Sequence, residues 1–117
     1  MDINSRLAAL AAAPKPFACL VTYRDGRVRR VPALTQGAAE NCADRERRKI
    51  GRELLEVGTN RPVCVVAVEV TSNREAVARE YKATIGYDPF AEGWTLAEAE
   101  ETLAEYRAEE RKAIFGV

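Results

Sequence analysis

An Asp-Gly pair set between two apolar stretches is the strongest constraint on how this chain folds. Phe17 to Tyr23 reads FACLVTY, Val28 to Leu34 reads VRRVPAL, and Arg24-Asp25-Gly26-Arg27 joins them. Stretches rich in β-branched and aromatic residues favour strands, and Asp-Gly suits a two-residue type I′ turn, whose central positions need positive φ. The spacing predicts a β-hairpin. Pro32 has no N–H to give to a ladder, so the second strand lies at a sheet edge or stops early.

The remaining elements follow from periodicity. Ile3, Leu7 and Leu10 fall four and three apart and predict a short opening helix, stopped by Pro14 and Pro16. From Thr35, a candidate N-cap, Ala39, Ala43, Ile50, Leu54 and Val57 recur near every 3.6 residues up to Gly58, which predicts one long amphipathic helix weakened at Gly51. Pro62 to Val70 reads PVCVVAVEV. Its unbroken apolar run is too short and too β-branched for a helix and suits a strand covered on both faces. Ser72-x-x-Glu75 and Thr95-x-x-Glu98 are capping boxes, each opening a helix; the first ends at Gly86 and the second runs almost to the last residue. The expected fold is α+β: a small, mainly antiparallel three-stranded sheet in order 2-1-3, packed by the long helix, with a short N-terminal helix and two C-terminal helices.

At 117 residues and 47% hydrophobic, the chain is large enough for one core without metal or disulfide support, so residues 1–117 are expected to form a single domain. Cys19, Cys42 and Cys64 are odd in number and fall at apolar positions, as reduced core thiols of a cytoplasmic protein would. Leu7 to Ala13 is alanine-dominated and preceded by Asp2 as well as Arg6, unlike a secretory leader. No apolar stretch approaches the roughly 20 residues of a membrane span.

The chain has no histidine. That excludes Ser-His-Asp and Cys-His catalysis and histidine-based zinc sites. There is no C-x-x-C pair and no phosphate-cradling or nucleophile-elbow motif. The remaining route to catalysis is a pair of carboxylates or an activated lysine, and with eighteen acids in 117 residues any such pair reads as solvated surface, so neither a cofactor nor an enzymatic reaction is expected.

Charge is split along the chain. Residues 1–61 carry twelve Lys/Arg against seven Asp/Glu, and residues 62–117 carry six against eleven. Arg24, Arg27, Arg29 and Arg30 cluster on the hairpin beside Tyr23, and Arg47 and Arg48 lie on the following helix. On one shared face they would form a phosphate-contacting patch, a candidate nucleic-acid surface. Against that, Asp44 to Arg48, Lys49 to Glu53 and Arg52 to Glu56 are spaced for pairing within a helix, which would make this an ordinary solvated face. At the acidic end, the Tyr87-Asp88-Pro89-Phe90 turn and Trp94 precede a helix bearing Glu101 and Glu105. Asp88, Phe90, Trp94, Glu101 and Glu105 are the candidate residues for gripping a partner protein, aromatic anchors supplying affinity and rim acids the rate of encounter. The alternative places Phe90 and Trp94 in the core between the last two helices.

The segment from Phe17 to Val70, with its Tyr-x-Asp-Gly hairpin, alanine-bearing helix and PVCVVAVEV strand, resembles small hairpin, helix and strand proteins encoded by phages and plasmids, some of them anti-CRISPR inhibitors. The resemblance implies a non-enzymatic inhibitor or regulator that occludes a site on another protein. The runner-up is a nucleic-acid-binding accessory protein using the arginine-rich hairpin, and the two charge sets could also meet across a homodimer.

Overall fold

The structure is a computed structural model that describes residues 2–5 and 15–116. Ile3 to Ser5 are helical, and the rest of the expected opening helix, with Leu7 and Leu10, lies outside the described residues. The elements that follow are β1 (Phe17–Tyr23), β2 (Val28–Ala33), α1 (Gln36–Arg47), β3 (Glu53–Leu55), β4 (Pro62–Ser72), α2 (Asn73–Ile85) and α3 (Leu96–Phe115). The class is α+β. The four strands form one antiparallel sheet in order β2-β1-β4-β3, which contains the expected 2-1-3 arrangement and adds a fourth strand at its edge.

The added strand corrects the long helix. α1 stops at Arg47, and Gly51 adopts φ +82°, a left-handed conformation that no continuing α-helix contains. The chain leaves that turn as β3, so Leu54 pairs with Val63 across an antiparallel ladder instead of continuing a helical face. Ile50 and Val57, placed on the helix's apolar face by periodicity, are exposed. Gly58 has positive φ, as a helix stop would, but turns a hairpin between β3 and β4 together with Asn60, whose φ is 55°.

The first hairpin forms with a different turn. Tyr23 N–H donates to Arg27 O at 2.9 Å and Gly26 N–H donates to Tyr23 O at 3.0 Å, so the loop holds Arg24, Asp25 and Gly26. Only Gly26 takes positive φ, which a type I turn with a one-residue bulge needs and a type I′ turn does not satisfy. Asp25 Oδ1 accepts from Arg27 N–H at 3.0 Å and fixes the turn from its side chain.

The hydrophobic pattern of β1 assigns the two faces. Cys19 and Val21 point to one side and pack with Cys42 and Ala43 of α1 and with Val65; Ala18 and Leu20 point to the other and pack with Ala76 of α2. β2 lies at the edge, as Pro32 requires. β4 is less covered than its apolar run suggests. A bulge between Thr22 and Tyr23 shifts the β1–β4 register from Ala67 to Val65, leaving Val66 unpaired with β1 and 47% exposed. Glu69 and Ala67 are exposed as well.

Both expected helix starts are present. Ser72 Oγ accepts from Glu75 N–H at 3.1 Å, and Thr95 and Glu98 exchange both bonds of a capping box. α3 packs on α2 through Val77, Tyr81, Ala99 and Leu103. Its last turn reaches the β3–β4 loop, where a methyl group added at Gly58 would sit 2.7 Å from Phe115 Cε1. No described helix is long and apolar enough to cross a membrane.

Candidate binding surfaces

The hairpin arginines point to opposite faces of β2 and meet different acids there. Arg29, on the α1 side, donates from Nε to Tyr23 Oη at 3.0 Å and pairs with Glu46 at 2.9 Å. Glu46 is buried, which would by itself raise its pKa, but the bonds and charges of Arg29 and Lys49 prevail and hold the carboxyl below the ordinary range. Its Oε2 lies 3.2 Å from Lys49 Nζ but off the hydrogen-bonding direction, so that oxygen has an ionic contact alone.

Arg30, on the α2 side, is the most enclosed of the cluster. Its side chain is 11% exposed, its Nε donates to Glu80 Oε1 at 3.1 Å and its Nη1 to Asn73 Oδ1 at 2.8 Å. Glu80 Oε2 accepts from Arg107 Nη2 at 3.4 Å, and Arg107 also donates to Val28 O, Thr84 and Glu110. One buried carboxylate thus ties β2, α2 and α3 together. Arg30 to Glu80 is also the one ion pair among the described residues that joins the basic first half of the chain to the acidic second half. The other ion pairs among the described residues each lie within one half.

At the tip of the hairpin, Arg27 donates to Asp25 at 2.7 Å and to Glu56 at 3.0 Å, and its guanidinium lies 5.6 Å from the Tyr23 ring centre. Glu56 also accepts from Arg61 at 3.0 Å; these bonds outweigh burial and hold its carboxyl below the usual range. The two hairpins are linked through this glutamate. Arg24 is exposed and donates from Nη2 to Cys64 Sγ at 3.2 Å. Arg47 pairs with Asp44 at 3.3 Å, whereas Arg48 caps α1 and has no carboxylate within salt-bridge reach among the described residues. Because α1 ends at Arg47, the helical pairs expected from Lys49 to Glu53 and from Arg52 to Glu56 do not form; Lys49 turns back to Glu46 at 3.2 Å.

Although Arg29 and Arg30 leave opposite faces of β2, both line, with Tyr23 and Arg27, one groove of about 540 Å³, to which α3 adds Arg107, Arg111 and Ile114. Arg24, Arg47 and Arg48 do not line it. The acids facing it are Glu56, Glu80 and Glu110.

The acidic-end residues occupy a separate region. Phe90 is half-buried against the α2–α3 cluster, with the Arg74 guanidinium 3.8 Å from its ring centre. Trp94 is half-buried with its ring 6.0 Å from that of Tyr81. Tyr81 and Tyr87 share a hydroxyl contact of 2.9 Å, and burial with that contact pushes the Tyr81 phenol up to about 12. Asp88 is exposed and accepts from Phe90 N–H at 3.0 Å, which closes the turn. Glu101 and Glu105 are exposed on α3.

A surface that the sequence did not reveal lies at the end of the molecule where Gly58 touches α3. Val57 is 86% exposed and Leu55 67%, at the edge of β3 that no described strand pairs, and Phe115, 53% exposed, lies against the adjoining Gly58. Pro62, opposite Leu55, has no N–H, so this is a non-bonded position of the β3–β4 ladder and Leu55 turns its own backbone groups outward. The helical periodicity through residue 57 concealed this arrangement; the Gly-Thr-Asn turn before Pro62 was the signal that would have exposed it. Compared with models of known protein families, with curated proteins and with solved structures, the chain matches none.

Proposed function

We propose that this protein is a non-enzymatic binding module, an inhibitor or regulator that works by covering a site on another protein. The observation that carries this reading is the apolar surface at the β3–β4 hairpin and the end of α3. Leu55, Val57 and Phe115 hold apolar area in water next to an edge strand with outward backbone groups. Large apolar side chains exposed near one another mark contact surfaces in soluble proteins, and a strand edge that no described strand pairs offers main-chain bonds to a partner. The arginines that a nucleic-acid surface would use add weight to it: Arg27, Arg29 and Arg30 are all bonded to the chain's own acids. The absence of histidine and of catalytic motifs supports the non-enzymatic part.

Affinity capture from a bacterial lysate, with and without nuclease, tests the reading. A protein partner recovered in the presence of nuclease by the parent chain, and lost with Val57→Asp while circular dichroism is unchanged, is the expected result. Recovery that disappears on nuclease treatment, or that Val57→Asp leaves intact, overturns it.

A further inference from the structure

The arginine groove and the exposed apolar surface adjoin, and their chemistry is complementary to one kind of ligand. The groove is lined by five guanidinium groups and three carboxylates, and Asp25 and Glu46 just outside the lining pair with Arg27 and Arg29. Those carboxylates already have cations: Glu80 binds Arg30 and Arg107, Glu56 binds Arg27 and Arg61, and Glu110 binds Arg107. Each guanidinium carries five N–H donors in a planar fork, so donors remain after the acids are satisfied. Arg111 is the clearest case, exposed at the rim with no carboxylate within salt-bridge reach among the described residues. Ile114, one turn further along α3, lines the same groove and touches the position of Gly58, next to Val57. A path along the groove thus passes from surplus arginine donors to aliphatic and aromatic surface.

From this we infer that the groove takes an acidic peptide segment of the partner, with an Asp or Glu carboxylate on Arg111 and an apolar side chain against Ile114, Val57 and Phe115. The inference rests on the protein-binding reading and deepens it. A nucleic-acid strand fits less well. Its evenly spaced phosphates would lie against Glu56, Glu80 and Glu110, and the single groove tyrosine is already covered by Arg27. A peptide needs only one carboxylate at the rim, on Arg111, where no carboxylate lies within salt-bridge reach among the described residues.

The test uses the full chain and fluorescence anisotropy with a labelled peptide of Asp, Glu and Leu. The same peptide with Asn and Gln replacing the acids, and a single-stranded oligonucleotide of equal charge, serve as controls. Salt-sensitive binding of the acidic peptide, weakened by about tenfold in Arg111→Glu and also weakened in Val57→Asp, is the expected result. Equal binding by the parent and Arg111→Glu, no binding at low ionic strength, or tighter binding of the oligonucleotide with the same Arg111 dependence overturns it. The lysate experiment separates the two claims. If Val57→Asp loses the cellular partner while Arg111→Glu keeps it, the groove inference fails and the binding module stands.

Discussion

Replacing Glu80 by alanine should be among the most damaging single changes in this protein. Its side chain is 8% exposed and accepts from Arg30, which is itself 11% exposed. Without Glu80, Arg30 keeps Asn73 Oδ1 at 2.8 Å as its one side-chain partner and becomes a nearly buried charge with no counter-ion. Breaking a buried pair from one side costs about 3–5 kcal/mol. Arg107 adds little, since it is 35% exposed and retains Glu110 and Thr84; loss of such a half-exposed contact is worth about 0–1 kcal/mol. The expected loss is therefore about 3–5 kcal/mol. Glu80→Gln retains an acceptor and should lose about 1–2 kcal/mol. Arg30→Met combined with Glu80→Leu removes both charges and should be more stable than Glu80→Ala. Urea unfolding measures all three, with the slope m unchanged so that midpoints report stability. A loss below about 1 kcal/mol for Glu80→Ala would place the pair among ordinary surface pairs and refute the argument.

Phe90→Ala should lower stability by about 2–3 kcal/mol through the cavity left against Val77, Tyr81, Ala99 and Leu103; a melting temperature equal to the parent's would show that the ring is not part of that cluster. Gly58→Ala should cost about 1–2 kcal/mol from its φ of +93° and the approach to Phe115, and a double-mutant cycle with Phe115→Ala should show coupling above the roughly 0.3–0.5 kcal/mol scatter of independent sites. Burial, reinforced by Cys42, pushes the Cys19 thiol from its ordinary 9.0 up to about 12. The raised value favours the neutral thiol, so its contribution to stability is complete below pH 9 and is lost as pH rises toward 12; thermal melts of the parent and Cys19→Ala should converge across that window. Cys19, Cys42 and Cys64 are all buried and free, so native labelling with an aromatic disulfide should be slow at every thiol and rapid only after unfolding.

Local chemistry was readable in the sequence where it was sufficient by itself. The first hairpin, the Ser72 cap, the Thr95–Glu98 capping box and the edge position of β2 each depend on residues within a few places of one another; the return bond expected from Glu75 does not form, because its carboxylate bonds Arg79. β3 was concealed because Ile50, Leu54 and Val57 continue the spacing of α1, and only the backbone at Gly51 separates a continuing helix from a turn into a strand. The same break explains the charges. Pairs drawn from helical spacing failed beyond Arg47, while Arg27 to Glu56 and Arg30 to Glu80 are pairs that the folded topology alone brings together. The arginine cluster was visible by composition, but the wall that α3 adds with Arg107, Arg111 and Ile114 was not. The exposed surface at Leu55 and Val57 was missed for a related reason: an apolar residue on an assumed helix face is read as core.

The strand order β2-β1-β4-β3 has a consequence for how the chain reaches this state. Each edge strand is joined to its inner neighbour by a short turn, so the sheet consists of two local hairpins meeting along one seam, where Phe17 faces Ser72 and Tyr23 faces Val65. Hairpins of this kind form in about 1–10 μs, whereas the seam must close a loop containing all of α1 and β3. During synthesis β1 can acquire β2 at once and then waits for β4 to emerge, with one flank of its backbone and the side chains of Ala18 and Leu20, which α2 covers, still open. Until that seam closes, β1 is the part of the newborn chain most open to pairing with a neighbouring copy.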